Sequence, residues 1–245
     1  VRFVGHPLLD RVVMPGSRHE VAARLGLRPD AKIVALLPGS RAKEVSSLLP
    51  VIFKTARILS GRLPGVQFVL PLAEGIPDEA VEAVRREIPL DVTVVRKSFY
   101  EALGIADGAV VASGTSTLEA ALLEVPMVII YRVSFLSYLL GRIFIKVDSI
   151  GLVNIIAGRR VVPEFIQDEA EPGVIARELQ DLIVNRKRRN QVKADLRALR
   201  QTLGRPGAAA REAAMALEIM DRPSAAGLEK AKDIQVVSGE ERGVS

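Results

Sequence analysis

Cysteine is absent from the 245 residues, which excludes disulfides, thiolate metal sites and cysteine nucleophiles. Only two histidines occur, His6 and His19, too few for a histidine-based metal centre. Tryptophan is missing, aromatics make up 4%, and no run interleaves basic with aromatic residues to stack bases. Nucleic acid is therefore not an expected partner. No apolar stretch reaches the roughly 20 residues that span a bilayer, and no signal peptide is visible. The expectation is a cytoplasmic protein able to touch a membrane from the inside.

Three motifs are also missing. Without G-x-x-x-x-G-K-[ST] the chain is not a P-loop NTPase, and without G-x-S-x-G it is not an ordinary α/β-hydrolase. No Asp-x-Asp pair is present to hold a diphosphate through a divalent cation. A nucleotide diphosphate leaving from this chain would rely on arginine and helix amides.

What the chain has in quantity is apolar sequence, 49% of its residues, together with a net charge of +5 and a pI near 9.7. The first supports a packed core of one large domain; the second leans toward an anionic partner. The chain opens on Val1 and its first methionine is Met14, which suggests a fragment, a processed chain or an incomplete gene model.

Apolar runs alternate with helix-period segments. Lys32–Leu37, Val66–Leu72, Val92–Val95, Gly108–Ala112 and Met127–Tyr131 read as buried strands. Between them Val45, Leu48, Leu49, Ile52, Phe53, Ala56 and Leu59 fall on one helical face, with Pro50 marking a kink or a later start. Asp78–Ile88, with Asp78 as N-cap, Ser98–Ala106 and Thr115–Leu123 read as further helices. The alternation predicts an α/β fold, a Rossmann-like parallel sheet covered on both faces. Helices dominate from Pro172 to Asp221, and Arg222–Ser245 reads as a disordered tail. Residues 1–221 are thus expected to form one domain, with 1–31 as the connection leading into it.

In such a sheet ligands sit where strands end and helices begin. One candidate is Gly39-Ser40-Arg41 after the first strand: glycine permits the turn, helix amides favour phosphate, and Arg41 adds a forked cation. An ordinary turn with Ser40 as N-cap reads equally well. A second is Ser113-Gly114-Thr115-Ser116-Thr117 with Glu119, where amides and hydroxyls suit a diphosphate and Glu119 suits sugar hydroxyls. A capping box from Thr115 or Ser116 to Glu119 is the alternative and does not exclude the first reading. Asn154, Glu164 and Gln167 are polar residues among apolar neighbours, as pocket groups or as loop residues capping their own backbone. Arg132–Val147 is apolar and basic together, fit either for a membrane interface or for a core helix with snorkelling cations.

Taken in order, Val4-Gly5-His6-Pro7-Leu8, Leu36-Leu37-Pro38-Gly39-Ser40-Arg41 with Glu44-Val45, Ala112-Ser113-Gly114-Thr115 with Thr117-Leu118-Glu119, Pro126-Met127-Val128, Tyr131-Arg132, Asn154 with Ala157-Gly158-Arg159, and Pro163-Glu164 with Gln167 resemble the lipid A disaccharide synthases. The resemblance runs from about Arg2 to Asp221; it departs at Val153, where that family usually has proline. It implies a GT-B fold of two Rossmann-like halves, this chain being the C-terminal, UDP-sugar-binding half. It implies an inverting transfer of 2,3-diacylglucosamine from its UDP derivative to lipid X at the cytoplasmic face of the inner membrane. No metal or other cofactor is implied. The N-terminal acceptor half with its aspartate base is expected to be missing, and a homodimer is compatible. Arg41 would neutralise the departing diphosphate, held by Gly39, Ser40 and Ser113–Thr117; Glu119 would bind ribose; Tyr131, Asn154, Glu164 and Gln167 would complete the donor site. Rival readings are a MurG-like transferase, a UDP-GlcNAc 2-epimerase, or a noncatalytic nucleotide-binding module.

Overall fold

Four runs of mostly buried residues and two short mixed runs become the strands of a single parallel sheet: β1 (Ile33–Leu37), β2 (Gln67–Pro71), β3 (Thr93–Val95), β4 (Gly108–Ala112), β5 (Met127–Tyr131) and β6 (Glu164–Ile166). The computed structural model describes residues 2–13, 15–132 and 149–220. The apolar-basic stretch after Arg132 and the tail from Arg222 lie outside the described residues.

The strand order is β3-β2-β1-β4-β5-β6, every neighbouring pair parallel. Strands β1 and β4 are buried at all five positions. Sheets covered on both faces require this, and it explains why the strands read as unbroken apolar runs. Successive connections step outward from β1 to β3, then from β4 to β6 the other way. The order therefore reverses between β1 and β4, and the connections on either side diverge there. Leu37 pairs with Val111 across that line, so the loops after β1 and β4 leave the sheet side by side.

Helix α1 spans Leu8–Arg11, α2 Arg18–Arg24, α3 Ala42–Arg62, α4 Asp78–Glu87, α5 Phe99–Gly104 and α6 Thr115–Leu122. Beyond β5 come α7 (Leu152–Ala157), a 3-10 turn at Gln167–Glu169, α8 (Pro172–Val184), α9 (Arg186–Thr202) and α10 (Ala208–Met220). The predicted face of α3 is the buried one, and it packs on α8. The helix starts at Ala42 and runs through Pro50, so the later start is not taken. Eight preceding residues are enough to place proline inside the helix, where it leaves the Ser46 carbonyl without its usual donor.

Asp78 is not the cap of α4. Pro77 holds that position, and the Asp78 carboxylate instead accepts from Arg96 at 2.5 Å. The connection before β1 is itself helical and tied down. Asp10 accepts the Gly207 and Ala208 amides, at 2.5 and 3.1 Å, and Arg211 donates to the Val4 carbonyl. Arg18 donates to the Pro29, Ala31 and Ile105 carbonyls and to Asp107. Burial works against the Asp107 charge, but the Ile33 amide, Lys32 and Arg18 outweigh it and hold the carboxyl below the usual range. Strand β6 was not foreseen: three residues beginning with a glutamate carry no strand pattern of their own.

Candidate active site

Two helices begin at the strand-order reversal, α3 after β1 and α6 after β4. Both carry the unpaired amides that any helix N-terminus leaves open. In the first loop Gly39 has φ of +103°, a conformation open to glycine and costly to residues with a Cβ. A Cβ there would also stand 2.1 Å from Oε2 of Glu44. That carboxylate lies over the turn and accepts the Ser40 amide at 3.2 Å. Ser40 is therefore not the cap; Arg41 is, without a side-chain capping bond. The exposed Arg41 makes no ion pair or hydrogen bond among the described residues.

The second loop differs from its expected capping box as well. Gly114 caps α6 with no side-chain bond, and the Thr117 hydroxyl donates back to the Gly114 carbonyl at 2.7 Å. Glu119 does not turn toward the helix start: its Oε1 accepts the Tyr100 hydroxyl at 2.9 Å. Burial first, then Glu119, pushes the Tyr100 hydroxyl above its ordinary range, so it remains a donor at neutral pH. The space beside Gly114 is open, with nothing within 4 Å of where a Cβ would stand. The Ser113 amide belongs to the sheet, donating to Ile130, and its hydroxyl donates to the Ile150 carbonyl at 3.2 Å. The amides of Gly114, Thr115 and Ser116 thus have no partner among the described residues, and Ser116 lines a crevice beside them.

That crevice measures about 250 Å³ and is lined by Gly39, Ser40, Leu72, Arg96, Phe99 and Ser116, among others. Arg96 shapes its far wall by donating to the Ala73 and Ile76 carbonyls. A larger cavity of about 540 Å³ opens where Gln67 and Thr93 begin β2 and β3. It lies at the wrong end of the sheet for the helix amides, and its Arg28 and Gln67 are bonded to one another.

The remaining expected site residues are placed differently. Asn154 lies in helix α7, not in a loop, and is 1% exposed. Its amide donates to Val162 and Glu164, and its Oδ1 accepts the Val161 and Val162 amides. Glu164 is 2% exposed and accepts the Ile150 amide at 2.9 Å, the Gly151 amide at 3.1 Å and Asn154 at 2.6 Å. Both side chains are spent on protein groups. They reach the crevice only indirectly, because the peptide that gives its N–H to Glu164 gives its carbonyl to Ser113. Tyr131 ends β5, half-buried, and Gln167 begins the 3-10 turn at φ +53°, its carbonyl accepting from Arg132. Sequence reasoning missed Tyr100 and Arg96. Tyr100 meets Glu119 only because α5 and α6 flank β4, which residue spacing does not reveal.

Fold and site together define a doubly wound α/β domain with a crevice beside two helix N-termini at its switch point, a fold shared with glycosyltransferases. Three solved structures align with it: the calicheamicin glycosyltransferase CalG4 (TM-score 0.52, 19% identity, 79% of this chain and 45% of that one), WaaG, a glycosyltransferase of lipopolysaccharide biosynthesis (0.52, 14%, 80% and 50%), and Staphylococcus aureus MnaA with UDP (0.51, 14%, 78% and 47%). At these identities they speak for the fold alone. The lipid-A-disaccharide synthetase family model matches residues 1–219, and the chain belongs to that family. Among its relatives are the lipid-A-disaccharide synthases of Syntrophus aciditrophicus, 49% identical over 223 residues, and Geobacter metallireducens, 44% over 222. Each alignment takes in 91% of this chain and 58% of the relative, so the chain spans well under two thirds of their length.

Proposed function

We propose that the chain is the donor-binding half of an inverting glycosyltransferase that builds the lipid A disaccharide. The reaction is transfer of 2,3-diacylglucosamine from UDP-2,3-diacylglucosamine to lipid X, with release of UDP and a β-1,6 linkage formed. The observation that carries the reading is the pair of helix N-termini at the β1/β4 reversal, with Arg41 beside them and without a partner among the described residues. Negative charge grows on the diphosphate as the sugar leaves, and donors fixed in advance at that point lower the barrier. Arg41, the first-turn amides of α3 and the Gly114–Ser116 amides supply them. The crevice toward Phe99 takes the base, and Glu119 takes the ribose.

Asn154 and Glu164 act by holding the Ile150–Gly151 turn against Ser113, not by touching the donor. Tyr131 and Gln167, at the ends of β5 and β6, border the sugar. On this reading the acceptor side and the general base come from sequence outside these residues. The lipid substrates place the enzyme peripherally on the cytoplasmic face of the inner membrane; among the described residues no helix is long and apolar enough to cross it.

Calorimetric titration of the chain with UDP, with and without EDTA, tests the assignment. Saturable binding that EDTA leaves unchanged and Glu119→Ala weakens is the expected result. A folded chain that takes up no UDP overturns it.

A further inference from the structure

Glu119 sits on α6 one turn beyond Ser116, and Tyr100 follows Phe99 on α5; Ser116 and Phe99 both line the crevice. Only one oxygen of the Glu119 carboxylate is engaged, Oε1, by the Tyr100 hydroxyl at 2.9 Å. Oε2 makes no hydrogen bond among the described residues. A glutamate on a helix is otherwise loose at its last torsion, whose preference is broad and two-fold. The tyrosine is a stiff anchor by comparison. Its ring packs on the core and meets Phe99 edge-on, centroids 5.3 Å apart and planes at 80°.

We propose that Tyr100 is a positioning residue for the pentose of the bound nucleotide. By tying Oε1 of Glu119 it leaves Oε2 as the one acceptor offered to a ribose hydroxyl. The proposal rests on the donor-site reading above and adds the group that makes its ribose contact selective. A carboxylate accepts and does not donate, so it discriminates a nucleoside with a hydroxyl from one without. That discrimination is sharp only if the acceptor is held still before the ligand arrives.

The test uses the chain with three variants, Y100F, E119A and the double variant, titrated with UDP and with 2′,3′-dideoxy-UDP. Y100F removes a single oxygen, and thermal melting establishes that each variant is folded. Y100F is expected to weaken UDP about threefold to tenfold, the worth of one hydrogen bond, and to leave dideoxy-UDP binding unchanged. The double variant is expected to bind UDP no more weakly than E119A. If Y100F weakens both ligands equally, Tyr100 only staples α5 to α6 and the proposal falls. If Y100F binds UDP as well as wild type or better while E119A is weakened, the proposal also falls and the donor site stands. If E119A binds UDP as wild type does, or wild type binds none, the donor-site reading itself is overturned.

Discussion

Replacing Glu164 by alanine removes a carboxylate that serves three donors at once, the Ile150 and Gly151 amides and the Asn154 side chain. The side chain is 2% exposed, so water does not replace it without entering the core. An orphaned buried donor costs about 1–3 kcal/mol, and three would cost about 3–9 if none relaxed. Ile150 is partly exposed and can turn to solvent, which brings the expected loss to about 3–5 kcal/mol, the range for breaking a buried charged network. Glu164→Gln keeps the volume but sets an NH2 group against one of the amides, for a loss of about 2 kcal/mol. Gly151→Ala is an independent probe, since its Cβ would stand 2.5 Å from the Ile129 side chain and 2.9 Å from Oε1 of Glu164. Urea unfolding at neutral pH measures all three, the shift in midpoint giving the change at constant slope. A loss below about 1 kcal/mol for Glu164→Ala would mean that the carboxylate does not hold this turn. A folded, stable Glu164→Gln variant with UDP binding abolished would mean that Glu164 touches the ligand directly.

Arg41→Ala should weaken UDP by about tenfold or more, the worth of hydrogen bonds between charged groups, and leave uridine binding as it is; calorimetry with both ligands decides, and equal loss on both removes Arg41 from the diphosphate. In the complete enzyme the same change should lower kcat by about 10²-fold. Asp107 links stability to acid. Its carboxyl titrates lower in the folded chain than in the unfolded one, so its contribution is complete above the ordinary value of about 3.9 and is lost as pH falls through the folded value. Asp107→Asn should be less stable at neutral pH, with the gap to wild type closing in acid; parallel melting curves from neutral pH down to the acid limb check this, and a constant gap contradicts it.

Strands β1, β2, β4 and β5 were legible because a parallel sheet buries both faces, turning each strand into an apolar run that needs no partner to be noticed. The two loops were legible for the same topological reason, since small residues between such a run and a helix mark the carboxyl edge. Strand β6 was not, because Glu164-Phe165-Ile166 is ordered by pairing with Ile129–Tyr131 and not by its own composition. Asn154 and Glu164 show a second limit. A polar residue among apolar neighbours looks the same whether it faces a ligand or satisfies backbone, and here it satisfies backbone. The Ser116-to-Glu119 spacing fits a capping box, yet Gly114 caps the helix and a hydroxyl from another helix captures the glutamate. Local spacing loses to tertiary contact where the competing donor arrives from a neighbouring helix.

The positive charge of the chain has the same divided character. A net charge of +5 suggests an anionic partner, but many of its arginines are structural. Arg18, Arg28, Arg96, Arg132, Arg189, Arg200 and Arg211 donate to backbone carbonyls, and Arg188 and Arg197 pair with Glu178, Asp181 and Glu124. These guanidiniums bind loops and helix ends that lack donors of their own, a use suited to a forked, permanently charged group. Arg41 stands at the cap of α3, exposed, with no hydrogen bond or ion pair among the described residues. Its nearest acidic neighbour in the turn, Glu44, is engaged with the Ser40 amide instead. On the proposed reading, anion recognition therefore follows from where Arg41 stands beside two sets of helix amides, and not from the overall charge.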